Sequence, residues 1–200
     1  MGELVLYASQ FSRAFAPFWL LEEIGVPFRT EIRDLRRREH KRADYLALNP
    51  MGKVPALTDD GVVITETPAI CLHLADRYSY GTMAPRIEDA ARGPYLRWMV
   101  FSTAVFEPAA YLPEGSDEEA SGGGWGRRAD MLATLESALQ PGPYLLGERF
   151  SAADYYLFML LRWSRNMARP GATYGNLGRL FDLVRQRPAM QELFRKEGLA

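Results

Sequence analysis

The sequence contains very few of the residues that build disulfides and metal centres. Cys71 is the only cysteine, and His40 and His73 are the only histidines among 200 residues. A single cysteine excludes an intramolecular disulfide and a cysteine-based zinc site, and the two histidines lack metal-ligand spacing. We therefore expect no metal, and we expect Cys71 and His73 to be structural residues of one predicted helix.

The sequence also lacks a strong net charge and long apolar runs. The formal net charge is -1 and the pI is near 6.2, so the composition favours neither nucleic acid nor an anionic membrane as a partner. No segment approaches the roughly 18 consecutive apolar residues of a membrane span. The first residues lack the basic and apolar regions of a signal peptide, which predicts a cytoplasmic protein. The basic segment 33–42 is interpreted as a solvated connection or a short helix face, and a supporting role in attracting an anionic ligand stays open.

Apolar patterning in residues 1–80 predicts a first domain with a small mixed sheet covered by helices. The strand, helix and strand at the start form a right-handed parallel unit. Asp59-Asp60-Gly61 then separates two short strands and is typical of a hairpin. Thr67 is predicted to be the N-cap of the next helix, with Pro68 at its first helical position. The predicted elements are strand 4–7, helix 14–24, strand 28–32, strands 56–58 and 62–65, and helix 67–78.

The second half of the chain shows helical patterning and no convincing strand. The domain boundary is predicted within the polar connection 79–94, which gives a second, all-helical domain over residues 88–200. Ser151-Ala152-Ala153-Asp154 is typical of a capping box, and the segment 155–161 after it is apolar on every side, as in a central helix. The other predicted elements are helix 95–110, a loop over 113–126, helix 127–139, helix 177–185 and a last helix from Pro188.

Two segments of the first domain carry a resemblance to a known family. Residues 49–57 (Asn-Pro-Met-Gly-Lys-Val-Pro-Ala-Leu) and 65–70 (Thr-Glu-Thr-Pro-Ala-Ile) closely resemble the glutathione-site signature of the glutathione transferase superfamily. Residues 19–27 resemble the end of its first helix, and 150–154 resemble the capping box of its helical domain. The resemblance is to cytosolic, bacterial-type, serine-type members. It implies a thioredoxin-like domain with a mixed four-stranded sheet, a C-terminal helical bundle, and a homodimer.

The same resemblance implies a glutathione site in the first domain. It implies a cis peptide before Pro55, which would turn the N–H and C=O of Val54 outward to pair with the tripeptide. Glu66 would bind the ammonium group, and the N–H groups at the helix start beside Thr67 would bind the γ-glutamyl carboxylate. Each half alone also fits a loop end or an ordinary helix start. Two nearby cations are further candidates for glutathione contacts, Lys53 and Arg13.

The resemblance further implies a hydroxyl or thiol after the first strand that stabilises the glutathione thiolate. Ser12 stands seven residues before Trp19, a spacing that resembles bacterial members, so Ser12 is the predicted catalytic residue and Ser9 the alternative. Tyr7 is expected to pack in the core. Pro17 departs from the family pattern, because a helix that begins near residue 13 would be kinked there. A helix that begins near residue 16 would accommodate Pro17 and leave Ser12 outside its N-terminus.

The function implied by the resemblance is conjugation of the glutathione thiolate to a small hydrophobic electrophile, with glutathione as co-substrate. The electrophile pocket would lie between the domains. The identity of the electrophile stays open, and two other functions stay open as well. These are a non-catalytic binding or regulatory role, and another glutathione-dependent reaction such as isomerisation, dehalogenation or peroxide reduction. Four aromatic residues are candidates for the pocket wall, with core packing as their alternative: Trp98, Phe101, Phe106 and Tyr111.

Overall fold

The chain divides into two units, residues 1–79 and 80–200, in the computed structural model. The structure describes residues 3–111, 124–164 and 174–196. The elements of the first unit are β1 (Leu4–Ala8), α1 (Phe15–Ile24), β2 (Arg29–Ile32), a 3-10 turn (Glu39–Lys41), α2 (Ala43–Leu48), β3 (Ala56–Asp59), β4 (Val62–Thr65) and α3 (Thr67–Tyr78).

The four strands form one mixed sheet with the order β2-β1-β3-β4. Strand β1 runs parallel to β2 and antiparallel to β3, and β3 is antiparallel to β4. All residues of β1 are buried because it lies inside the sheet, whereas Val62 and Val63 on the edge strand β4 are exposed. The predicted fold class, a mixed four-stranded sheet with helices followed by a helical region, is confirmed.

The strand register brings three connections to one edge of the sheet, namely the edge formed by the strand ends at Ala8, Ala56 and Thr65. Tyr7 of β1 is paired with Ala56 of β3, and Ala56 is paired with Thr65 of β4. Because β1 and β4 end at this edge and β3 begins there, the residues after Ala8, before Ala56 and after Thr65 leave the sheet side by side.

A buried carboxylate holds α3 to the hairpin. Asp59 is at the end of β3 and its side chain is only 2% exposed. It accepts hydrogen bonds from Tyr78 Oη at 2.7 Å and pairs with His73 Nε2 at 2.6 Å. Arg77 Nε lies 3.2 Å from the same carboxylate. His73 therefore packs α3 against β3, in agreement with its predicted structural role, and Cys71 on the same helix is completely buried.

In the described part of the second unit all the named elements are helical, and the connections between them contain a few isolated β-bridges. Helix α7 is the most buried of the described helices, because every side chain from Ala152 to Leu161 is inaccessible to solvent or nearly so. Ser151 and Asp154 form the predicted capping box at its start, which is confirmed. The described elements are α4 (Arg92–Phe101), a π-helical turn (Ser102–Phe106), α5 (Glu107–Ala110), α6 (Arg128–Ala138), α7 (Ala152–Trp163), α8 (Gly175–Arg185) and α9 (Pro188–Lys196).

One predicted helix of this unit has a more complex form. Residues 95–110, predicted as a single helix, comprise the end of α4, the π-helical turn and α5. The turn widens the helix just before Pro108, whose missing N–H and ring do not fit an uninterrupted α-helix. Most of the loop predicted over 113–126 lies outside the described residues. Within those residues no helix is both long and apolar enough to cross a membrane.

Candidate active site

The segment before β3 presents an unpaired main chain. The peptide bond between Val54 and Pro55 is cis, as the resemblance implies. Pro55 is buried and Val54 is half-buried. Within residues 3–111, 124–164 and 174–196, neither the N–H nor the C=O of Val54 has a hydrogen-bond partner. Both groups are therefore available to an extended peptide at this edge of the sheet.

Two buried side chains fix the residue that precedes Val54. The carbonyl oxygen of Lys53 accepts hydrogen bonds from Tyr45 Oη at 2.6 Å and from Asn49 Nδ2 at 2.9 Å. Burial raises the pKa of Tyr45 to about 12, so its hydroxyl remains a donor at neutral pH. The sequence analysis did not identify Tyr45, which comes from α2, a helix that the apolar pattern did not predict.

The start of α3 differs from the prediction at one residue. Thr67 was expected to be the N-cap, and this is wrong: Thr67 is the first helical residue and Glu66 occupies the cap position, with a φ of +69° and no side-chain cap hydrogen bond. The chain passes from β4 to α3 through Glu66 alone, which forces that residue into a left-handed backbone conformation. Pro68 is accordingly the second helical residue. Glu66 is exposed and Thr67 is buried.

A cluster of cations lies around a partly buried imidazole next to this edge. His40 Nδ1 is buried and has no hydrogen-bond partner in the part of the chain that the structure describes. Burial lowers the pKa of His40, and the nearby charges of Lys41, Arg38 and Lys53 lower it further. Lys41 Nζ donates to the carbonyl of Met51 at 2.8 Å, which anchors the cluster to the loop before Lys53. Part of the basic segment therefore contacts the loop before Lys53, and its role toward an anionic ligand stays a prediction.

A glycine makes this close approach feasible. Gly52 has a φ of +55°, and a Cβ atom there would lie 2.7 Å from the carbonyl oxygen of His40 and 2.7 Å from Lys41 Nζ. Only glycine fits both the backbone conformation and the space. The sequence analysis treated Gly52 as a turn residue, and its role in admitting the cation cluster depends on tertiary contact.

The two candidate serines after β1 have different surroundings. Ser12 is 7% exposed, and its hydroxyl donates to the carbonyl oxygen of Ser9 at 2.7 Å. Its Oγ also accepts from the N–H of Ala14 at 3.3 Å. Ser9 is partly exposed, and its own hydroxyl makes no hydrogen bond to any residue that the structure describes. Phe11 between them is 81% exposed and has a φ of +52°.

The first helix resolves the question raised by Pro17. Helix α1 begins at Phe15, so Pro17 is its third residue and lies in the turn whose N–H groups have no intrahelical acceptor. Two hydrogen-bonded turns lead directly into this helix. The N–H of Phe15 donates to the carbonyl oxygen of Ser12, and the N–H of Ala16 donates to that of Arg13, both at 3.2 Å. Pro17 is thus accommodated without a kink. Tyr7 is buried in a core cluster with Val5, Tyr45 and Ala56, as predicted.

The predicted electrophile-pocket residues all belong to the second unit. Trp98 and Phe106 are buried, Phe101 packs edge-on against Trp98 with ring centroids 5.4 Å apart, and Tyr111 is exposed. Trp98 borders a groove of about 650 Å³ between α4 and α6, next to Arg97, whose guanidinium stacks 4.2 Å from the Trp98 ring centroid. The other three aromatic residues do not border this groove. The pocket stays a prediction.

The two remaining predicted site residues are the cations Lys53 and Arg13. Lys53 is exposed and Arg13 is half-buried beside Ser12. Among the residues described, no group of three or more potential metal-ligating side chains is found.

Comparison with known proteins gives consistent matches over both units. Residues 12–77 match the family model for the glutathione S-transferase N-terminal domain, and residues 73–196 match the model for its C-terminal domain. The chain is 29% identical over 185 residues to glutathione S-transferase GstA of Escherichia coli O157:H7, covering 90% of this chain and 91% of that relative. It is 31% identical over 165 residues to glutathione S-transferase F9 of Arabidopsis thaliana, covering 76% of each.

Solved structures show the same similarity. A glutathione transferase from Methylococcus capsulatus str. Bath is 30% identical with a TM-score of 0.81, over 98% of this chain and 100% of that one. A glutathione transferase homologue from Sulfitobacter, solved with bound glutathione, is 25% identical with a TM-score of 0.72, over 100% of each chain.

Proposed function

Because this chain belongs to the glutathione S-transferase family, we propose that it binds glutathione at the sheet edge beside Val54 and transfers the glutathione thiolate to a small hydrophobic electrophile. The observation that carries the proposal is the register Tyr7–Ala56–Thr65. It gathers the Ser9 loop, the unpaired Val54 main chain and the start of α3 at one edge of a thioredoxin-like sheet. A tripeptide placed there can meet all three.

The charges at this edge complement those of glutathione. The N–H groups at the start of α3, a 12-residue helix, favour the γ-glutamyl carboxylate. Glu66 supplies a carboxylate for the neighbouring ammonium group. At the other end of the peptide, the glycine carboxylate would find Lys53, Lys41 and the partly buried His40. The unpartnered Nδ1 of His40 supports this assignment, because a buried polar atom without a partner is unfavourable unless a ligand pairs with it.

The thiol needs a hydrogen-bond donor to ionise near neutral pH. Lowering a thiol pKa by about two units from about 8.5 requires roughly 2.7 kcal/mol of preferential stabilisation of the thiolate. One hydroxyl donor close to the N-terminus of α1 is sufficient in magnitude. We assign the donor to Ser9 rather than to Ser12, since the Ser9 hydroxyl is uncommitted and the Ser12 proton already binds the Ser9 carbonyl.

Binding and chemistry are tested separately. Titration calorimetry with glutathione should give a Kd about tenfold higher for Glu66→Gln, because a charge-assisted hydrogen bond is lost. Glu22→Gln, a change at an exposed glutamate of α1, serves as the matched control and should bind like the wild type. Absence of glutathione binding by the wild type would refute the proposal.

Turnover is measured with a chromogenic aryl halide. Ser9→Ala should lower the conjugation rate at pH 6.5 by about 50-fold, because the ionised fraction of the thiol falls from about one half to about one hundredth when about two pKa units of activation are lost. An unchanged rate would exclude Ser9 as the donor. Glutathione binding without activity toward aryl halides, peroxides, haloalkanes and isomerisable substrates would instead favour a binding role. Pro17 fits the first turn of α1 and gives no support to that alternative.

We also propose that the protein is a homodimer. Support comes from the exposed Val62 and Val63 on the edge strand β4, since exposed apolar side chains on a strand edge favour association. Light scattering that gives the mass of one 22.6 kDa chain would refute this proposal.

A further inference from the structure

The loop between β1 and α1 is closed by one side chain. Residues Ser9 to Ser12 turn back on themselves, and the Ser12 hydroxyl donates to the Ser9 carbonyl at 2.7 Å. Ser12 Oγ accepts the N–H of Ala14 at 3.3 Å, and the Ser12 carbonyl oxygen accepts the N–H of Phe15 at 3.2 Å. Ser12 thus links the end of the sheet to the first turn of α1.

This link restricts the orientation of Ser9. A carbonyl held at a fixed position sets the ψ angle of its own residue, so the Ser9 side chain is left with rotation about χ1 alone. Ser12 is only 7% exposed, and its proton is occupied. For Ser12 to donate to a ligand sulfur, it would have to break a buried hydrogen bond and leave the Ser9 carbonyl without that donor.

The closed loop also places Phe11 in an unfavourable position. Phe11 has a left-handed φ of +52°, which bulky residues rarely adopt, and its ring is 81% exposed. Strained backbone of this kind persists only where the surroundings hold it, and it is concentrated at functional sites. The two hydrogen bonds of Ser12 Oγ join residues on either side of Phe11, the Ser9 carbonyl and the Ala14 N–H, and so stabilise this turn.

We infer that Ser12 is a positioning residue: its hydroxyl fixes the Ser9 carbonyl and so aims the Ser9 hydroxyl at the glutathione sulfur. The inference rests on the proposed function, and it assigns to Ser12 a role different from direct contact with the thiol.

The test measures the pKa of the bound thiol from the ultraviolet absorbance of its thiolate, together with the glutathione Kd. Four single variants are compared with the wild type, namely Ser9→Ala, Ser12→Ala, Ser12→Thr and, as a control on an exposed serine of α6, Ser137→Ala. In Ser12→Ala the thiol pKa should rise by about one unit, and conjugation at pH 6.5 should fall about fivefold. The Kd should stay within about twofold of the wild type. Ser12→Thr retains the donor and should restore the wild-type pKa, and Ser137→Ala should match the wild type.

The outcomes separate this inference from the function on which it rests. If the wild type does not bind glutathione, both fall. If Ser9→Ala raises the thiol pKa but Ser12→Ala leaves it unchanged, only the positioning role falls. If Ser12→Ala raises the pKa fully while Ser9→Ala has no effect, Ser12 is itself the donor and the inference is overturned. Thermal unfolding of each variant checks that the comparison is made on folded protein.

Discussion

Replacing Asp154 by asparagine should destabilise the helical unit by an amount that depends on pH. The Asp154 side chain is completely buried at the start of α7. One carboxylate oxygen accepts the N–H of Leu145 at 2.6 Å, and the other accepts the N–H and the hydroxyl of Ser151 at 2.9 and 2.8 Å. Three donors therefore converge on the two side-chain oxygens of Asp154. All three have an acceptor only when both of these positions are oxygen atoms.

The expected magnitude follows from these contacts. In Asp154→Asn one oxygen becomes an NH₂ group, which would face a donor, most directly the N–H of Leu145. Leaving a buried N–H without an acceptor costs about 1–3 kcal/mol, so we expect a loss of about 2 kcal/mol in the free energy of unfolding at pH 7.

The pH dependence gives a second, independent number. Burial raises the pKa of Asp154 to about 6 from its usual 3.8, although the three hydrogen bonds favour the carboxylate. Between these two values the unfolded chain ionises before the folded chain, so the stability contributed by Asp154 falls as the pH rises. From pH 5 to pH 7 this fall is about 1 kcal/mol. Asparagine does not titrate, and the destabilisation should therefore be about 1 kcal/mol greater at pH 5 than at pH 7.

Urea denaturation followed by circular dichroism at both pH values measures the effect. Asp130→Asn is the matched control, because Asp130 is an exposed carboxylate of α6 and should give no measurable change. Equal stability of wild type and Asp154→Asn, or a greater loss at pH 7 than at pH 5, would refute the reasoning.

Three further predictions concern the first unit. Gly52→Ala should raise the glutathione Kd at least about tenfold in calorimetry, because its Cβ would displace His40; an unchanged Kd would remove the cation cluster from the site. Burial raises the pKa of Asp59, but hydrogen bonds from His73 and Tyr78 outweigh it and lower the pKa below 3.8. Asp59→Asn should therefore cost about 2 kcal/mol at pH 7 and progressively less below pH 4, as shown by urea titrations, and a pH-independent difference would contradict this. Phe11→Gly should be about 1 kcal/mol more stable than Phe11→Ala in thermal unfolding, since only glycine relieves the left-handed φ, and equal stabilities would argue against strain there.

Local sequence patterns were most informative where a residue's role depends on its immediate neighbours. The Asp-Gly hairpin, the capping box at Ser151 and the buried strand 4–7 could all be predicted, because turn chemistry, capping and apolar runs act over a few residues. The cap at Thr67 was displaced by one residue for a reason of the same range, the short passage from β4 to α3.

The site was only partly predictable. Val54, Glu66 and Thr67 were found through a resemblance to a family, and the strand register then brought their segments to one edge. Tyr45 and His40 were missed because their importance arises from contacts with Lys53 and its loop, eight or more residues away, which no local pattern records.

By itself the sequence determined most of the strands and helices and the family to which the chain belongs, because periodicity, turn residues and signature segments are local properties. Only the tertiary structure showed that the Ser12 hydroxyl is hydrogen-bonded while that of Ser9 has no partner among the described residues, and only it brought the cations close to His40. Two serines three residues apart are chemically identical in the sequence, and the difference between a free hydroxyl and an occupied one is created when the chain folds back and a carbonyl comes within 2.7 Å.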